Sequence, residues 1–463
     1  MSIVDDLRSA GATRVLEPGE AGYDEAVTGF DTAVVVAPTV VVDAQTASDV
    51  AATVAVVAED GRTVTVLGAG HGRLHDVRDG LALAVRRLDT VDIDVAARTA
   101  RIGAGCTWEP VLAAATPHGL APVCGSAPGV GVAGYLLGGG LGPLASGLGF
   151  SSDYLRSVDV VTPADGPVTV TADSHPDLFW ALRGGKGGFG VITAVTVDLL
   201  ALAEVVGGGL YFAADDVAAV LHAYAEWAPR LPESSTTSVA LLRLPSSDAL
   251  PDQIRGKHVV HVRFASLDSA SAANAQLGDL RAVARPLLDT VAVLPYGELG
   301  SIHGDPSTPM PVANGAAPLD ALDARTVDAV LAAADLAADL PLSSVEIRTL
   351  GKATHLSPSR GDAVGGRATP HLLNVYAAPV PTLSDDQRLA TIRNVLGAVA
   401  PWRAPVNLVN FVGRGNDSAA IVDSWTTEQN EQLDLVRDRY DPERLFPFAR
   451  HVSDAGEAPK GRS

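Results

Sequence analysis

The sequence GSAPGVGVAGYLLGGGLG, residues 125–142, decides the fold of this 463-residue chain. It lies within residues 110–152, a stretch that has eleven glycines and five prolines but no Asp, Glu, Lys or Arg. Glycine and proline at this density exclude a continuous membrane-spanning helix. Such a backbone turns tightly, or it comes very close to something flat or anionic.

Two further glycine-rich segments flank this stretch. LGAGHG occupies residues 67–72, and RGGKGGFGVI occupies residues 183–192. Apolar runs typical of strands separate the three segments. We therefore expect the three loops to form one cofactor cradle.

The composition indicates a soluble globular α/β or α+β protein, because 47% of the residues are hydrophobic and strand and helix patterns alternate. The formal net charge of −20 argues against nucleic acid or an anionic membrane as a partner. The first residues show no secretory signal, so we expect a cytoplasmic protein. Cys106 and Cys124 are too few for a disulfide framework or a metal site, and we predict no metal.

Hydrophobic periodicity predicts the elements of the first 200 residues. Two short strands and a helix that begins at Ser48 or Asp49 as N-cap are predicted over residues 32–57. The remaining predictions are strands at 63–67, 81–85 and 100–104, a helix at 108–118 ending at Gly119, a hairpin of strands 155–162 and 167–172, and a helix at 174–182 capped by Ser174.

After about residue 200 the pattern changes to an open, largely antiparallel sheet with helices on one face. Strands are predicted at 205–213, 236–244, 258–265, 344–350, 371–379 and 406–412. Helices are predicted at 214–231, 268–288, 322–339, 384–400 and 427–441. Residues 297–320 are expected to form a surface loop, and residues 445–447 to pack back on the first domain.

Gly129, Gly131 and Gly134 match the GxGxxG pattern of a Rossmann dinucleotide site. That site requires a helix opening at the third glycine. The following residues, YLLGGGLGP, cannot form two turns of stable helix, which disfavours a Rossmann site. A nest of consecutive backbone N–H groups is the other way to hold a pyrophosphate, and residues 67–72 leave a strand in a way that suits it.

Several motifs together resemble the FAD-linked oxidases of the berberine-bridge-enzyme type, in the vanillyl-alcohol-oxidase superfamily. The motifs are GAGH (68–71), HGLAP (118–122), GSAPGVGVAG (125–134), GGGLG (138–142), DLFWALRGG (177–185), FGVIT (189–193) and YDP (440–442). The resemblance implies an α+β protein with a PCMH-type FAD-binding domain of two α/β subdomains. This domain would span residues 1–200 and be completed by 413–463, with a substrate domain at 201–412 built on an antiparallel sheet.

By this resemblance, His71 falls where the family attaches FAD covalently. A neutral imidazole can add to an electrophilic methyl group; the alternative is that His71 only hydrogen-bonds the pyrophosphate or caps the loop. The other cofactor-binding candidates are Leu67, Gly68, Ala69, Gly70, Gly72, His75, Ala127, Pro128, Val130, Gly131, Gly134, Gly138, Asp153, Gly190, Val191, Ile192 and Asn410.

The sequence departs from the family at four places. Ala127 stands where members with a second flavin bond have cysteine, so we expect one bond only. Leu67 replaces a common arginine, and Lys186, read as a solvated loop charge or a cation near a phosphate, replaces glycine. Leu408 stands where the family often has the tyrosine that assists substrate deprotonation, while Asn410 remains on the same predicted strand face.

A replacement base must then come from the inner face of the substrate sheet. Glu346 and Arg348 share one predicted strand face, and Asn374 and Tyr376 share another. Tyr376 is the favoured acid or base, although a half-buried structural tyrosine is an equal alternative. The catalytic candidates are Tyr376, Asn410 and Glu346, whereas His371 on the opposite face is predicted to be structural.

The leading functional hypothesis is an oxidase in which FAD takes hydride from an alcohol or a similar C–H of a small, apolar secondary metabolite. Val130, by the resemblance, favours reoxidation by oxygen. A redox-neutral cyclase or isomerase that keeps FAD as a scaffold is the alternative, since Leu408 cannot move a proton. A protein that only binds flavin or a metabolite is a third possibility.

Overall fold

A computed structural model describes residues 2–359 and 361–447 of the chain. The N-terminal part forms a small mixed sheet in the order β1-β2-β4-β3, in which β4 runs parallel to β2 and β3. Both faces of β2 and β4 are buried, as is usual for parallel strands. The elements are α1 (Ile3–Ser9), β1 (Val15–Leu16), α2 (Tyr23–Val27), β2 (Val40–Asp43), α3 (Ala47–Asp60), β3 (Val64–Leu67) and β4 (Leu81–Ala84).

The helix α3 begins two or three residues earlier than predicted. Its N-cap is Thr46, and neither Ser48 nor Asp49 holds that position. Asp49 is the third helical residue and completes a capping box with Thr46. Asp49 also accepts hydrogen bonds from the backbone and hydroxyl of Thr13, which ties α3 to the N-terminal segment.

A second, antiparallel sheet follows in the order β5-β6-β10-β8-β9, with β7 paired to β10. The predicted β8–β9 hairpin and the helix ending at Gly119 are confirmed. The short helix α7 begins after His175 and not after Ser174. The elements are β5 (Val91–Asp94), β6 (Thr99–Gly103), α4 (Trp108–Ala115), β7 (Leu120–Pro122), α5 (Val132–Leu137), α6 (Ala145–Leu148), β8 (Leu155–Thr162), β9 (Gly166–Thr171), α7 (Pro176–Leu182) and β10 (Val191–Ala201).

The third sheet is antiparallel, as predicted, in the order β14-β11-β13-β12-β17-β18-β16, with β15 paired to β11. Its elements are β11 (Glu204–Ala213), α8 (Val217–Trp227), β12 (Ser235–Arg243), β13 (His258–Ser266), α9 (Ala270–Gln276), α10 (Gly278–Val283), β14 (Leu288–Asp289), β15 (Ala292–Pro295), β16 (Asn314–Leu319), α11 (Ala324–Ala333), β17 (Leu342–Thr349), α12 (Lys352–His355), β18 (His371–Ala377) and α13 (Asp385–Ala398).

The two faces of the third sheet differ in polarity. Val345 and Ile347 of β17 pack with residues of α8, α11 and α13 in one apolar core. Because strand side chains alternate, Glu346 and Arg348 lie on the other face, which we call the inner face. The period-two pattern therefore places charged groups on the face opposite the helices α8, α11 and α13.

Two predicted elements were wrong. Residues 297–320 are not one surface loop, because they include a 3₁₀ helix that ends at Ile302 and the edge strand β16. Gly315 and Pro318 are typical of loops, so the sequence of β16 did not indicate a strand. An edge strand tolerates both residues. Residues 406–412 are not a strand, since Val409–Phe411 forms a 3₁₀ turn.

The C-terminal segment packs on the first two sheets, as predicted for residues 445–447. The helix α14 (Thr427–Tyr440) is followed by Leu445 and Phe446, which join the apolar core of those sheets. The N–H of Val64 donates to the Leu445 carbonyl at 2.8 Å. Residues 448–463 of the predicted completing segment lie outside the described residues.

Side chains of this segment also brace the third glycine-rich loop. Trp425 Nε1 donates to the carbonyl of Gly184 at 3.2 Å. Arg437 Nε donates to the Gly187 carbonyl at 3.2 Å, and its guanidinium lies over the Phe189 ring. The C-terminal segment is therefore part of the framework that supports residues 183–192.

We expect Asp441→Ala to lower the free energy of unfolding by about 1–3 kcal/mol, because two buried N–H groups would lose their acceptor. Asp441 accepts from the N–H groups of Leu445 at 2.9 Å and Phe446 at 3.0 Å. Denaturant unfolding measures the change. Glu443→Ala removes a nearby exposed carboxylate and is the control; an equal loss in both variants would contradict this capping role.

Candidate functional site

The three glycine-rich segments lie next to one another. A Cβ placed on Gly131 would be 3.1 Å from Ala69 Cβ, so the second segment touches the first. The N–H groups of Gly184 and Lys186 donate to the Leu137 carbonyl at 3.0 and 2.9 Å, so the third segment touches the second. We call this assembly of residues 67–72, 125–142 and 183–192 the glycine cradle.

The first segment of the cradle leaves its backbone donors free. The carbonyls of Ala69 and Gly70 accept from the N–H groups of Phe30 at 3.0 Å and Asp31 at 3.3 Å. Within the described residues, no N–H from Ala69 to Gly72 donates a hydrogen bond. Consecutive free N–H groups in a glycine-rich turn form an anion-binding nest.

At several glycines of the cradle, neither the surrounding protein atoms nor the backbone conformation would exclude a side chain. A Cβ on Gly68, Gly72, Gly129 or Gly134 would meet no described atom within 4 Å. None of the four has the left-handed φ that favours glycine. The space that side chains would fill is open to a ligand that approaches the backbone closely.

His71 lies on the nest loop as a neutral imidazole. Its ring stacks on Phe30, with centroids 3.9 Å apart and planes 13° apart. Burial lowers the pKa of His71 to about 4, so the ring is neutral at pH 7. Its buried Nδ1 has no hydrogen-bond partner among the described residues, whereas His75 on the same loop is exposed. A neutral, unpartnered ring nitrogen is the form that a nucleophile requires.

Lys186 and Asn410 connect the cradle to the segment after the third sheet. Lys186 Nζ donates to the Gly134 carbonyl at 2.8 Å and bonds Asn410 Oδ1. Asn410 Nδ2 donates to the Tyr135 carbonyl at 2.8 Å. Burial lowers the pKa of Lys186 to about 8. Lys186 is thus an engaged amine, so the interpretation as a solvated loop charge is wrong.

A buried polar cluster occupies the inner face of the third sheet. Glu346 Oε1 accepts from Arg263 Nη1 at 2.6 Å and Ser238 Oγ at 2.7 Å, and it lies 3.5 Å from His303 Nε2. Glu346 Oε2 accepts from Arg348 Nε at 2.9 Å. These five residues, Ser238, Arg263, His303, Glu346 and Arg348, are called the polar cluster. Burial opposes the charge of Glu346, but Arg348 and Arg263 hold its pKa well below the usual range.

Tyr376 lies on the inner face beside the polar cluster. It is 37% exposed, and its strand neighbour Asn374 is buried opposite Glu346. Burial raises the pKa of Tyr376, so the phenol is protonated at neutral pH and can donate a hydrogen bond. His371 lies on the opposite face, where Nδ1 is 3.3 Å from Thr349 Oγ1, as expected for a structural residue.

Residues 38–172 match the FAD binding domain family. This region holds the nest, His71 and the central glycine-rich stretch. The chain carries an FAD binding domain. The chain is 29% identical over 302 residues to (R)-6-hydroxynicotine oxidase of Paenarthrobacter nicotinovorans, which is 63% of each protein. It is 36% identical over 165 residues to the FAD-dependent monooxygenase FUP4 of Fusarium proliferatum, 35% of this chain and 32% of that protein. The chain therefore spans less than two thirds of the curated relatives that it matches.

Solved structures share the whole fold, including the FAD binding domain. The 6-hydroxy-D-nicotine oxidase of Arthrobacter nicotinovorans covers 94% of this chain and 97% of its own, with a TM-score of 0.77 and 23% identity. The berberine-bridge-enzyme-like protein 1 of Physcomitrella patens covers 98% and 99%, with a TM-score of 0.81 and 18% identity. The glucooligosaccharide oxidase of Acremonium strictum covers 97% and 98%, with a TM-score of 0.80 and 19% identity. The predicted berberine-bridge-enzyme-like, PCMH-type fold is thereby confirmed.

The other residues that the sequence predicted to bind the cofactor have different surroundings in the structure. Some line the cradle backbone: the Pro128 and Val130 carbonyls accept from the start of α4, and Gly190 precedes β10. Asp153 instead caps the Phe150 N–H at 2.9 Å and pairs with Arg367. Its carboxylate is thus occupied by protein partners. The roles of Leu67, Ala127, Gly138, Val191 and Ile192 toward a cofactor stay predictions.

Cys106 and Cys124 are both free and buried. Burial raises the pKa of Cys124 to about 12, and its Sγ lies 4.0 Å from the Tyr296 hydroxyl. In the described part of the chain, no cluster of His, Cys, Asp and Glu is arranged to hold a metal. Nor do those residues include a helix long and apolar enough to cross a membrane.

Sequence reasoning missed three members of the polar cluster. Ser238 and Arg263 lie on predicted strands, and the available signal was the charge of Arg263 between Val262 and Phe264. His303 follows the 3₁₀ helix inside the segment that had been taken for a surface loop. Leu408, at the expected tyrosine position, is buried in an apolar cluster with Leu141, Phe150 and Leu372.

We expect Glu346→Gln to lower the free energy of unfolding by about 3–5 kcal/mol at neutral pH, because Arg263 and Arg348 would lose their buried counter-charge. The pKa of Glu346 is depressed, so its contribution is present above its ordinary value of 4.5 and is lost as the pH falls further. The difference between wild type and variant should therefore shrink in acid. Denaturant unfolding from pH 3 to 8 measures it.

Glu298→Gln is the matched control, since Glu298 is exposed on the 3₁₀ helix near the cluster. This variant should stay close to wild type at every pH. A stability loss in Glu346→Gln that does not change with pH would show that the ionised carboxylate is not the stabilising species.

Proposed function

We propose that the protein is an FAD-dependent oxidase that acts on a C–H bond next to a hydroxyl or amine in a small, secondary-metabolite-like molecule. The observation that carries the proposal is the nest of free N–H groups beside a neutral His71 in an FAD binding domain. When bound, FAD supplies a two-electron acceptor for hydride and a route for those electrons to molecular oxygen. Relatives named as oxidases support this choice.

The cradle residues would hold the cofactor. The N–H groups of Ala69 to Gly72 suit a pyrophosphate, and the open glycines 129 and 134 let a flat ring approach the backbone. Lys186 and Asn410 offer a cation and an amide at the junction of the cradle with the third sheet. By the sequence resemblance, Val130 supports access of oxygen to the flavin.

We infer that FAD is attached covalently, through His71 alone. The glucooligosaccharide oxidase of similar fold carries a 6-S-cysteinyl, 8α-N1-histidyl FAD. In this chain the cysteine position is Ala127, and the buried thiol of Cys124 is protonated at neutral pH. A second bond therefore has no nucleophile, whereas Nδ1 of His71 is unpartnered in the described structure.

The substrate proton requires an acceptor other than the family tyrosine. Leu408 cannot accept it, and Glu346 is ionised but surrounded by donors that lower its basicity. His303 is neutral, because burial and Arg263 lower its pKa, and its buried Nδ1 has no partner among the described residues. We infer that His303 Nδ1 accepts the proton, Glu346 stabilises the imidazolium, and Tyr376 orients the substrate as a donor.

The redox-neutral alternative is favoured only by Leu408. Anaerobic addition of alcohols and amines separates the two functions. An oxidase loses the visible absorption of its flavin with one equivalent of turned-over substrate and regains it, with peroxide, when air is admitted. Conversion of a compound without any change in flavin absorption or oxygen uptake would establish the redox-neutral role.

We expect His71→Ala to release its flavin on denaturation, because the nucleophile of the covalent bond is gone. Wild-type protein precipitated with acid should keep yellow colour and flavin fluorescence on the polypeptide, at a peptide containing His71. His75→Ala removes the exposed histidine of the same loop and should behave like wild type. Flavin that stays with denatured His71→Ala, or that leaves the wild type, would refute the linkage.

A further inference from the structure

We propose that the substrate carries a carboxylate, which Arg348 binds on the inner face of the third sheet. This inference rests on the proposed function, because it names the chemical class that the oxidase site accepts. It differs from the apolar metabolite favoured by the sequence alone. The reason lies in the charge balance and the free donors of the polar cluster.

The buried charges of the polar cluster do not cancel. Arg263 and Arg348 each carry a positive charge, while Glu346 is their buried carboxylate partner. His303 is neutral, and Tyr376 is a protonated phenol. One positive charge is therefore left over within the buried group, which is costly unless an anion pairs with it.

Asp305 is a further carboxylate that could offset the positive charge of Arg348. Its Oδ2 accepts from Ser126 Oγ at 2.6 Å, and the residue is exposed to solvent. Among the described residues it makes no ion pair with Arg348 within 4.0 Å, although its field reaches both Arg348 and Tyr376. Solvent screens an exposed carboxylate, so Asp305 does not replace a contacting anion.

Arg348 also has donors to spare. Only its Nε is used, by Glu346 Oε2; its two Nη groups donate no hydrogen bond to the described part of the chain. Tyr376 supplies a phenol O–H as a further donor, and its side chain is 37% exposed. These groups surround one region of the inner face.

The position of Arg348 connects this region to the cradle. Its guanidinium carbon lies 5.2 Å from the centroid of the Phe411 ring. Phe411 follows Asn410, which bonds the Tyr135 carbonyl inside the cradle. A group held by Arg348 is thus anchored beside the residues proposed to hold FAD, where it would orient the rest of the substrate.

A carboxylate matches this arrangement better than other ligands. Two Nη groups form a planar fork that fits two carboxylate oxygens, and one anion neutralises the one excess charge. A neutral sugar or alcohol would leave the guanidinium charge uncompensated. A phosphate would bring about two negative charges to a site with one positive charge in excess.

The test uses the flavin-loaded protein and three pairs of probes: acetate with acetamide, benzoate with benzamide, and phenylacetate with phenylacetamide. Calorimetric titration measures binding, and the visible flavin spectrum is recorded in parallel. At least one carboxylate should bind ten-fold or more tightly than its amide. Arg348→Gln should remove this preference, and Arg348→Lys should retain part of it, because lysine keeps the charge but lacks the fork.

Arg156→Gln is the control, since Arg156 lies on β8 and pairs there with Asp198. The Arg156→Gln variant should prefer carboxylates over amides as strongly as the wild type does. Equal binding within every probe pair, or an undiminished preference in Arg348→Gln, would overturn the proposal. If Arg348→Gln does not fold, the wild-type comparison and Arg348→Lys still decide. Flavin retention and oxygen consumption are measured separately. If the wild-type protein is an active oxidase but shows no carboxylate preference, this inference is refuted and the proposed function is not.

Discussion

Backbone N–H groups that the protein leaves unused are the constraint on which this structure depends. Peptide donors are normally paired, because an unpaired one is costly away from water. In the nest loop, Phe30 and Asp31 occupy the carbonyls of Ala69 and Gly70 while the donors from Ala69 to Gly72 stay open. The loop is therefore held by its acceptors, and its donors are left available to a ligand. Glycine is required here for access as much as for turning.

The third sheet offers binding groups from its side chains, whereas the nest offers them from its backbone. Strand alternation assigns Val345 and Ile347 to the helix-covered core and leaves Glu346 and Arg348 on the inner face. A buried carboxylate between two guanidinium groups adds little net stability over an apolar core, so its presence points to a binding role. The glycine cradle and the inner face are linked by Asn410, which bonds the Tyr135 carbonyl, and by Phe411, whose ring lies under the Arg348 guanidinium. Cofactor and substrate would be neighbours there.

Local patterns in the sequence predicted the parts of the fold that are locally determined. The β8–β9 hairpin, the helix ending at Gly119 and the antiparallel third sheet all follow from periodicity and turn residues. The polar cluster did not follow, because Arg263 and Glu346 meet only through the register of β13, β12 and β17, across 83 residues of chain. His303 and β16 were hidden in a glycine- and proline-rich segment, and Asn410 owes its contacts to a 3₁₀ turn. The glycine cradle was predictable because its motifs act together.

The contacts of the C-terminal segment determine when a newly made chain becomes able to hold its cofactor. Leu445 binds β3 just before the nest, and Trp425 and Arg437 brace the loop at residues 184–187. A ribosome delivers these residues after every glycine-rich segment has already emerged, and domains fold as their parts become available. The loop at residues 184–187 therefore lacks these contacts for most of the synthesis of the chain. A flavin held by the cradle would then be loaded late, when the C-terminal segment reaches this loop.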